Sequence, residues 1–172
     1  DLAASAAPGE LVEENTFQAP MPTFPFGAHV AVVEVDTETG RVRHARHVAC
    51  DDAGTMVNPM LVTGQVHGGV AQGAAQALWE EVRYDSDGNP ITSNFADYGM
   101  ITADLLPTIE RIPMETPTFV NALGAKGVGE SGTIGSTPAI HSAVIDALAP
   151  YGVKHIDMPC SAEKVWAAIH AA

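Results

Sequence analysis

Cations are scarce in this chain. Its 172 residues hold 8 Lys and Arg against 21 Asp and Glu, a formal net charge of −13 with His neutral. A nucleic-acid binder needs clustered cations to displace phosphate counterions, and a protein held on anionic lipid by charge needs them as well. Both classes are excluded by the balance. Cysteine is nearly missing: Cys50 and Cys160 stand far apart and form no CxxC pair, zinc set or iron–sulfur spacing. Two free thiols suit a reducing cytoplasm, the expected location, although a disulfide between them stays open. Long apolar runs are missing too. None approaches the roughly 18 residues of a membrane helix, and no charged-then-apolar leader opens the chain. There is no initiating Met, and Asp1 to Gly9 reads like mid-chain text, so a piece of a larger polypeptide is expected.

What is present is enough for a folded domain. Hydrophobic residues make up 46% of the chain, and a disordered tail would have far fewer. A modest excess of turn formers, 16 Gly and 12 Pro, predicts long loops without low complexity. Residues 1–26 are rich in Ala and Pro. Each proline removes a backbone donor and pushes its predecessor towards extended backbone, which predicts an extended arm. Residues 27–172 read as one domain.

Within that domain Val30, Val32, Val33 and Val35 mark a β-branched strand, Thr37 to Gly40 a turn, and Arg41 to Cys50 a returning strand, together a β-hairpin. Asp51 to Pro59 reads as a loop, with Asn58 capping a helix and Pro59 in its first turn. That helix should run over 60–81, with Leu61, Val66, Val70, Ala74, Ala77 and Leu78 at near-helical spacing. Its glycines, Gly64, Gly68, Gly69 and Gly73, each cost up to about 1 kcal/mol against Ala, so close approach of another backbone or of a ligand is expected there. A strong turn sits at Asp87 to Asn89 and a strand near 109–115. A glycine-rich loop follows over 121–135. Ser136, Thr137 and Pro138 then open a further helix that runs to Pro150, and a short last helix starts at Ser161. The expected class is α+β, a hairpin and mixed strands packed with two or three helices.

Most chemical motifs fail on inspection. His44 and His47 are three apart on a strand, which places them on opposite faces and unable to share an ion. His67, His141 and His155 lack partners at ligand spacing, so no metal ligand set is read. Gly129 to Thr133 lacks the final glycine of a nucleophile elbow, and no Walker loop exists. Gly127 to Gly132 fits G-x-G-x-x-G but follows no clear strand in a βαβ unit. What remains is Gly124 to Gly135 with one carboxylate, Glu130, at its centre and a helix start behind it. That pattern suits a general base, an anion-binding module or an inert loop.

The strings GAKGVGESGTIGSTPAI and DDAGTMVNPMLVTGQVHGGVAQGAAQALWEE, in this order along the chain reversed, resemble the C-terminal part of molybdenum hydroxylase large subunits. That family holds xanthine dehydrogenases, aldehyde oxidases and aerobic carbon monoxide dehydrogenases, and the likeness runs from Phe17 onward. It implies a molybdopterin cofactor, as the cytosine dinucleotide, and hydroxylation of an aldehyde or N-heterocyclic carbon with oxygen from water. It implies Glu130 as the general base. Gln65 would hydrogen-bond the pterin, since an amide donates and accepts together. Lys126, Val128 and Gly129 match cofactor-contacting loop positions, and Asp51 and Asn58 fall near the dinucleotide end. The expected partners are the remainder of the large subunit, an iron–sulfur subunit and a flavin subunit carrying FAD. The GES-GTIG text leans to the aldehyde and N-heterocycle branches, with a carbon monoxide dehydrogenase-type fragment as the alternative. Cys50 and Cys160 match no family metal position.

Overall fold

The computed structural model describes residues 5–7, 9, 12 and 14–171. The arm expected over 1–26 therefore lies partly outside the described residues. Its described part from residue 14 to Pro25 has no regular secondary structure and leaves Phe17 and Phe24 exposed.

Two strands form the expected hairpin: β1 (Phe26–Val35) and β2 (Val42–Asp52), antiparallel. Asp36 closes the turn, accepting the N–H of Glu38 and Thr39, and Gly40 takes the positive φ of 72° that the turn requires. A third strand, β3 (Ile109–Met114), runs parallel to β2, so the sheet is mixed with order β1-β2-β3. Helix α1 (Pro59–Leu78) starts where Asn58 Oδ1 accepts the N–H of Met60 and Leu61. Helix α2 spans Ser131–Leu148 and helix α3 spans Ala162–His170 behind a Ser161 cap. Together α1 and α2 cover one face of the sheet, α2 against β1 and α1 against β2 and β3. The class is α+β, as expected.

The main core joins Ala74, Ala77 and Leu78 of α1 with Ile140, Val144 and Leu148 of α2 and Val165 of α3. A smaller cluster, Ala49, Val66 and Val70 with Val128 and Ile109 packed on it, fastens α1 to the sheet. Burial of each Val, Ile or Leu side chain contributes about 1.5–3 kcal/mol. Where α1 crosses α2 there are almost no side chains. A Cβ on Gly69 would stand 2.8 Å from Gly132 Cα, and one on Gly73 would collide with Ser136 Oγ. Gly69 of α1 thus meets Gly132 of α2 backbone to backbone, Gly73 makes room for the Ser136 and Thr137 hydroxyls, and Thr133 Oγ1 donates to Gly69 O at 3.1 Å.

Two expectations need correction. Helix α2 begins at Ser131, not at Ser136, and Pro138 lies inside it. The proline gives up one helical hydrogen bond, to the carbonyl of Ile134. The early start brings Gly132 and Gly135 into the helix, where α1 and β1 leave no room for side chains. Second, His44 and His47 share one face. A β-bulge breaks the register between Val32 and Val33, opposite which Ala45 is the extra residue, and the alternation of β2 resets. Both imidazoles are buried, with His44 Nε2 3.1 Å from His47 Nδ1.

Candidate functional site

The site is built where α1 passes the start of α2. Glu130 occupies the N-cap position of α2. Its carbonyl accepts the N–H of Ile134 at 3.0 Å, its side chain makes no capping bond, and it is exposed. Gln65 projects from the exposed side of α1, and its Oε1 lies 3.8 Å from where a Gly129 Cβ would stand. The amide of Gln65 and the turn that carries Glu130 are therefore neighbours, although 64 residues separate Gln65 from Glu130 in sequence. Val128, the third residue of the turn, points the other way and packs on Ala49, Val66 and Val70. Its carbonyl accepts the Ser131 hydroxyl at 3.0 Å. The turn is thereby anchored by an apolar side chain on one side and opened on the other.

The glycine-rich segment is not a loose phosphate cradle. Gly124 O accepts the N–H of Thr55 and of Thr118, Lys126 N–H donates to Ala53 O, and the Asn121 side chain brackets Ala125 through both its oxygen and its nitrogen. These groups are committed to holding the segment against the end of β2. Lys126 is committed as well. Its Nζ lies 3.2 Å from Asp52 Oδ1, with the two side chains 10% and 0% exposed, and stands 4.8 Å over the Phe26 ring. Burial alone would raise the Asp52 carboxyl, but Thr116, the Gly54 N–H and the Lys126 ammonium more than offset it and hold it below the usual range. Lys126 thus supports the segment and offers a ligand neither its charge nor its backbone N–H.

Asp51 and Asn58 lie away from this meeting point. Asp51 is buried and receives His29 Nε2 at 3.1 Å. Asn58 caps α1, roughly 10 Å along the helix from Gln65 at 1.5 Å per residue. The structure thus brings Gln65, Gly129 and Glu130 together, turns Lys126 and Val128 into supports for the turn, and places Asp51 and Asn58 on its flanks. His29 and Asp52 were missed by sequence reasoning. The alternation of β1, with Ala31, Val33 and Val35 packed on the core, puts His29 on the inner face and was the available signal. Among the described residues, no group of three or more His, Cys, Asp or Glu is placed to hold a metal ion, and no helix is long and apolar enough to cross a membrane.

A molybdopterin needs a flat, open face and a hydrogen-bonding edge. Gly64, Gly68 and Gly127 leave such a face, because a Cβ on any of them would meet nothing within 4 Å. Gly64 and Gly68 lie on either side of Gln65 in sequence and one turn apart on α1. With the Gln65 amide as the polar edge, the residues fit the group.

Comparison with known proteins identifies the family. Residues 1–107 match the family described as molybdopterin cofactor-binding domain. The chain is 40% identical to the carbon monoxide dehydrogenase large chain of Hydrogenophaga pseudoflava over 163 residues, 95% of this chain and 20% of that one. It is 42% identical to the nicotine 6-hydroxylase large subunit of Paenarthrobacter nicotinovorans over 144 residues, 84% of this chain and 18% of that one. Among solved structures, the copper- and molybdenum-containing carbon monoxide dehydrogenase in its carbon monoxide-reduced state superposes with a TM-score of 0.88 at 39% identity, covering 91% of this chain and 20% of that one. The chain spans about a fifth of the length of these relatives. With more than half of its residues matched and its fold shared, the chain belongs to the molybdopterin cofactor-binding domain family.

Proposed function

We propose that this chain forms one wall of the cofactor pocket in a molybdenum-dependent hydroxylase, with Glu130 as its general base. The observation that carries the reading is the meeting of Gln65 with Gly129 and Glu130 beside a glycine-cleared face of α1. When bound, the cofactor supplies two-electron redox chemistry at its metal and a water-derived oxygen for the substrate carbon. This chain supplies the proton chemistry and the alignment. The Glu130 carboxylate, exposed and making no capping bond at the start of α2, would take the proton of the reacting oxygen. Gln65 could both donate to and accept from the pterin edge and so would orient the ring system. The backbone of Lys126 to Gly129 would lie against it, and Asp51 and Asn58 would flank the longer end of the cytosine dinucleotide form.

The substrate class is an aldehyde or an N-heterocyclic carbon. Relatives named for carbon monoxide and for nicotine share this part of the chain to nearly the same degree, 40% and 42%. The partners are the rest of the large subunit, an iron–sulfur subunit that takes the electrons and a flavin subunit with FAD, in the cytoplasm. The test is Glu130→Gln in the assembled enzyme. Turnover should fall by about 10²–10⁴-fold, the range of a lost general base, while molybdenum and pterin content hold. A rate within threefold of wild type overturns the assignment.

A further inference from the structure

We propose that Arg111 is an oxyanion-receiving site at the start of α1, completed by a carboxylate of the polypeptide that covers this face in the assembled enzyme. The inference rests on the hydroxylase reading, because that reading makes the chain one part of a larger subunit. Alternation along β3 places Arg111 on the same face as Ile109, which packs on Ala49, Val66 and Val70. The guanidinium is thereby carried to the first turns of α1, where it meets Met56 and Thr63. Thr63 and Gln65 are two residues apart, about 200° around the helix, so Arg111 lies on the flank of α1 away from the Gln65 amide.

The contacts of this cation are poor. Arg111 Nη1 lies 3.4 Å from Thr63 Oγ1 and Nη2 lies 2.8 Å from Met56 Sδ. A thioether is a weak acceptor, and the Thr63 hydroxyl gives its own hydrogen to Pro59 O at 2.8 Å. Arg111 Nε is buried and has no hydrogen-bond partner among the described residues. The other two half-buried cations are served differently. Lys126 Nζ lies 3.2 Å from Asp52 and Lys164 Nζ lies 2.9 Å from Glu81. Among the described residues Arg111 alone is a half-buried Lys or Arg with no carboxylate in ion-pair range.

Acids are not in short supply, at 21 Asp and Glu against 8 Lys and Arg. Those in nearby strand positions are committed elsewhere. Glu110 holds Arg46 at 2.7 Å on the opposite face of β3, Asp51 receives His29, and Asp52 holds Lys126. Helix α1 carries no acidic residue in its first turn, and the positive end of its dipole adds to the field of the guanidinium. A charge drawn out of water is costly unless it is paired. The planar fork of Arg fits a two-oxygen acceptor, which means a carboxylate or a phosphate.

The surroundings favour a carboxylate borne on polypeptide. Val57, next to Met56, is 70% exposed, and Met60, one turn before Thr63 on the same flank, is 75% exposed. An Arg among open apolar side chains has the make-up of a protein interface, whereas a phosphate tail would leave Val57 and Met60 in water. Strand β3 is also an edge of the sheet, where another segment can lie alongside. The relatives have polypeptide to supply it, since this chain spans about a fifth of their length.

Cryo-electron microscopy of the wild-type assembled enzyme reads the contact directly. A carboxylate from outside residues 1–172 within hydrogen-bond distance of the Arg111 guanidinium is expected. A cofactor phosphate, a free anion or water alone in that place overturns the proposal. The energetic test is Arg111→Met in the chain alone and in the assembled enzyme. In the chain alone, loss of an unpaired half-buried charge leaves the melting temperature unchanged or raises it. In the assembly it should fall by several degrees, because the partner carboxylate is left without its cation, while molybdenum and pterin content hold. A fall in the chain alone, or no fall in the assembly, overturns the proposal. Should Arg111→Met fail to fold, Arg111→Lys keeps the charge and loses the fork. A smaller fall confined to the assembly is then expected, and an equal fall in the chain alone overturns the site. A wild-type assembly free of molybdenum and pterin would sink the hydroxylase reading instead, and the contact at Arg111 would still be read from the same map.

Discussion

Among the described residues the ionisable side chains of His44, His47, Asp51 and Asp52 are buried, and they carry sharp electrostatic consequences. Replacing Lys126 by Met would leave Asp52, fully buried, without its cation. A broken buried pair costs about 3–5 kcal/mol, so a large drop in the urea midpoint is expected, and an unchanged midpoint would show the pair to be idle. The histidines fix a pH signature. His44 and His47 sit near 4 when folded against an ordinary 6.5, so between these values the unfolded chain binds more protons than the native one. Their contribution to stability is complete above pH 6.5 and is lost as the pH falls towards 4. Denaturant titrations across that window should show the loss, and it should shrink in a His44→Gln, His47→Gln double variant. Cys160, pushed up to about 11 chiefly by burial, should resist alkylation at pH 8 until the protein unfolds, as mass analysis of the labelled peptides would show.

At the scale of elements, the four glycines of α1 divide into two pairs with different duties. Gly69 and Gly73 admit α2, whereas Gly64 and Gly68 face open space. Gly69→Ala or Gly73→Ala should therefore destabilise the fold by about 1–3 kcal/mol through overpacking. Gly64→Ala and Gly68→Ala should raise the melting temperature of the chain, by up to about 1 kcal/mol of helix propensity each, yet lower the pterin content of the assembled enzyme. Unchanged pterin content would mean that this face meets something other than cofactor. The hairpin, all three helices, the third strand and the Asn58 cap were legible in the sequence, because local periodicity and capping chemistry decide them. The start of α2 was not. Ser136 to Pro138 is a valid start signal taken locally, and it lost to the tertiary demand that Gly132 and Gly135 be helical where α1 and β1 press on them. The pairing of His44 with His47 was hidden in the same way, since one extra residue in β2 reverses every inference from alternation. For the candidate site, the resemblance pointed to Glu130 and Gln65. That Lys126 and Val128 face inward as supports needed the third dimension.

The whole molecule shows apolar residues where a self-sufficient protein would hide them. Phe119 is 93% exposed, Phe95 81%, Met60 75% and Phe24 71%. Exposed surface of this kind marks an interface or an aggregation hazard. The chain alone should bind a hydrophobic dye and self-associate on concentration, and, on the proposed function, the remainder of a large subunit should suppress both. Light scattering with and without that partner measures it, and a monodisperse, dye-silent chain would contradict the expectation. Where Gly69 of α1 meets Gly132 of α2 the two backbones touch directly, so no long side chain lies between the helices near the amide carried by one and the carboxylate that precedes the other. The spacing of the two chemical groups is set like the gap of a calliper, and a single added methyl at the crossing is enough to open its jaws.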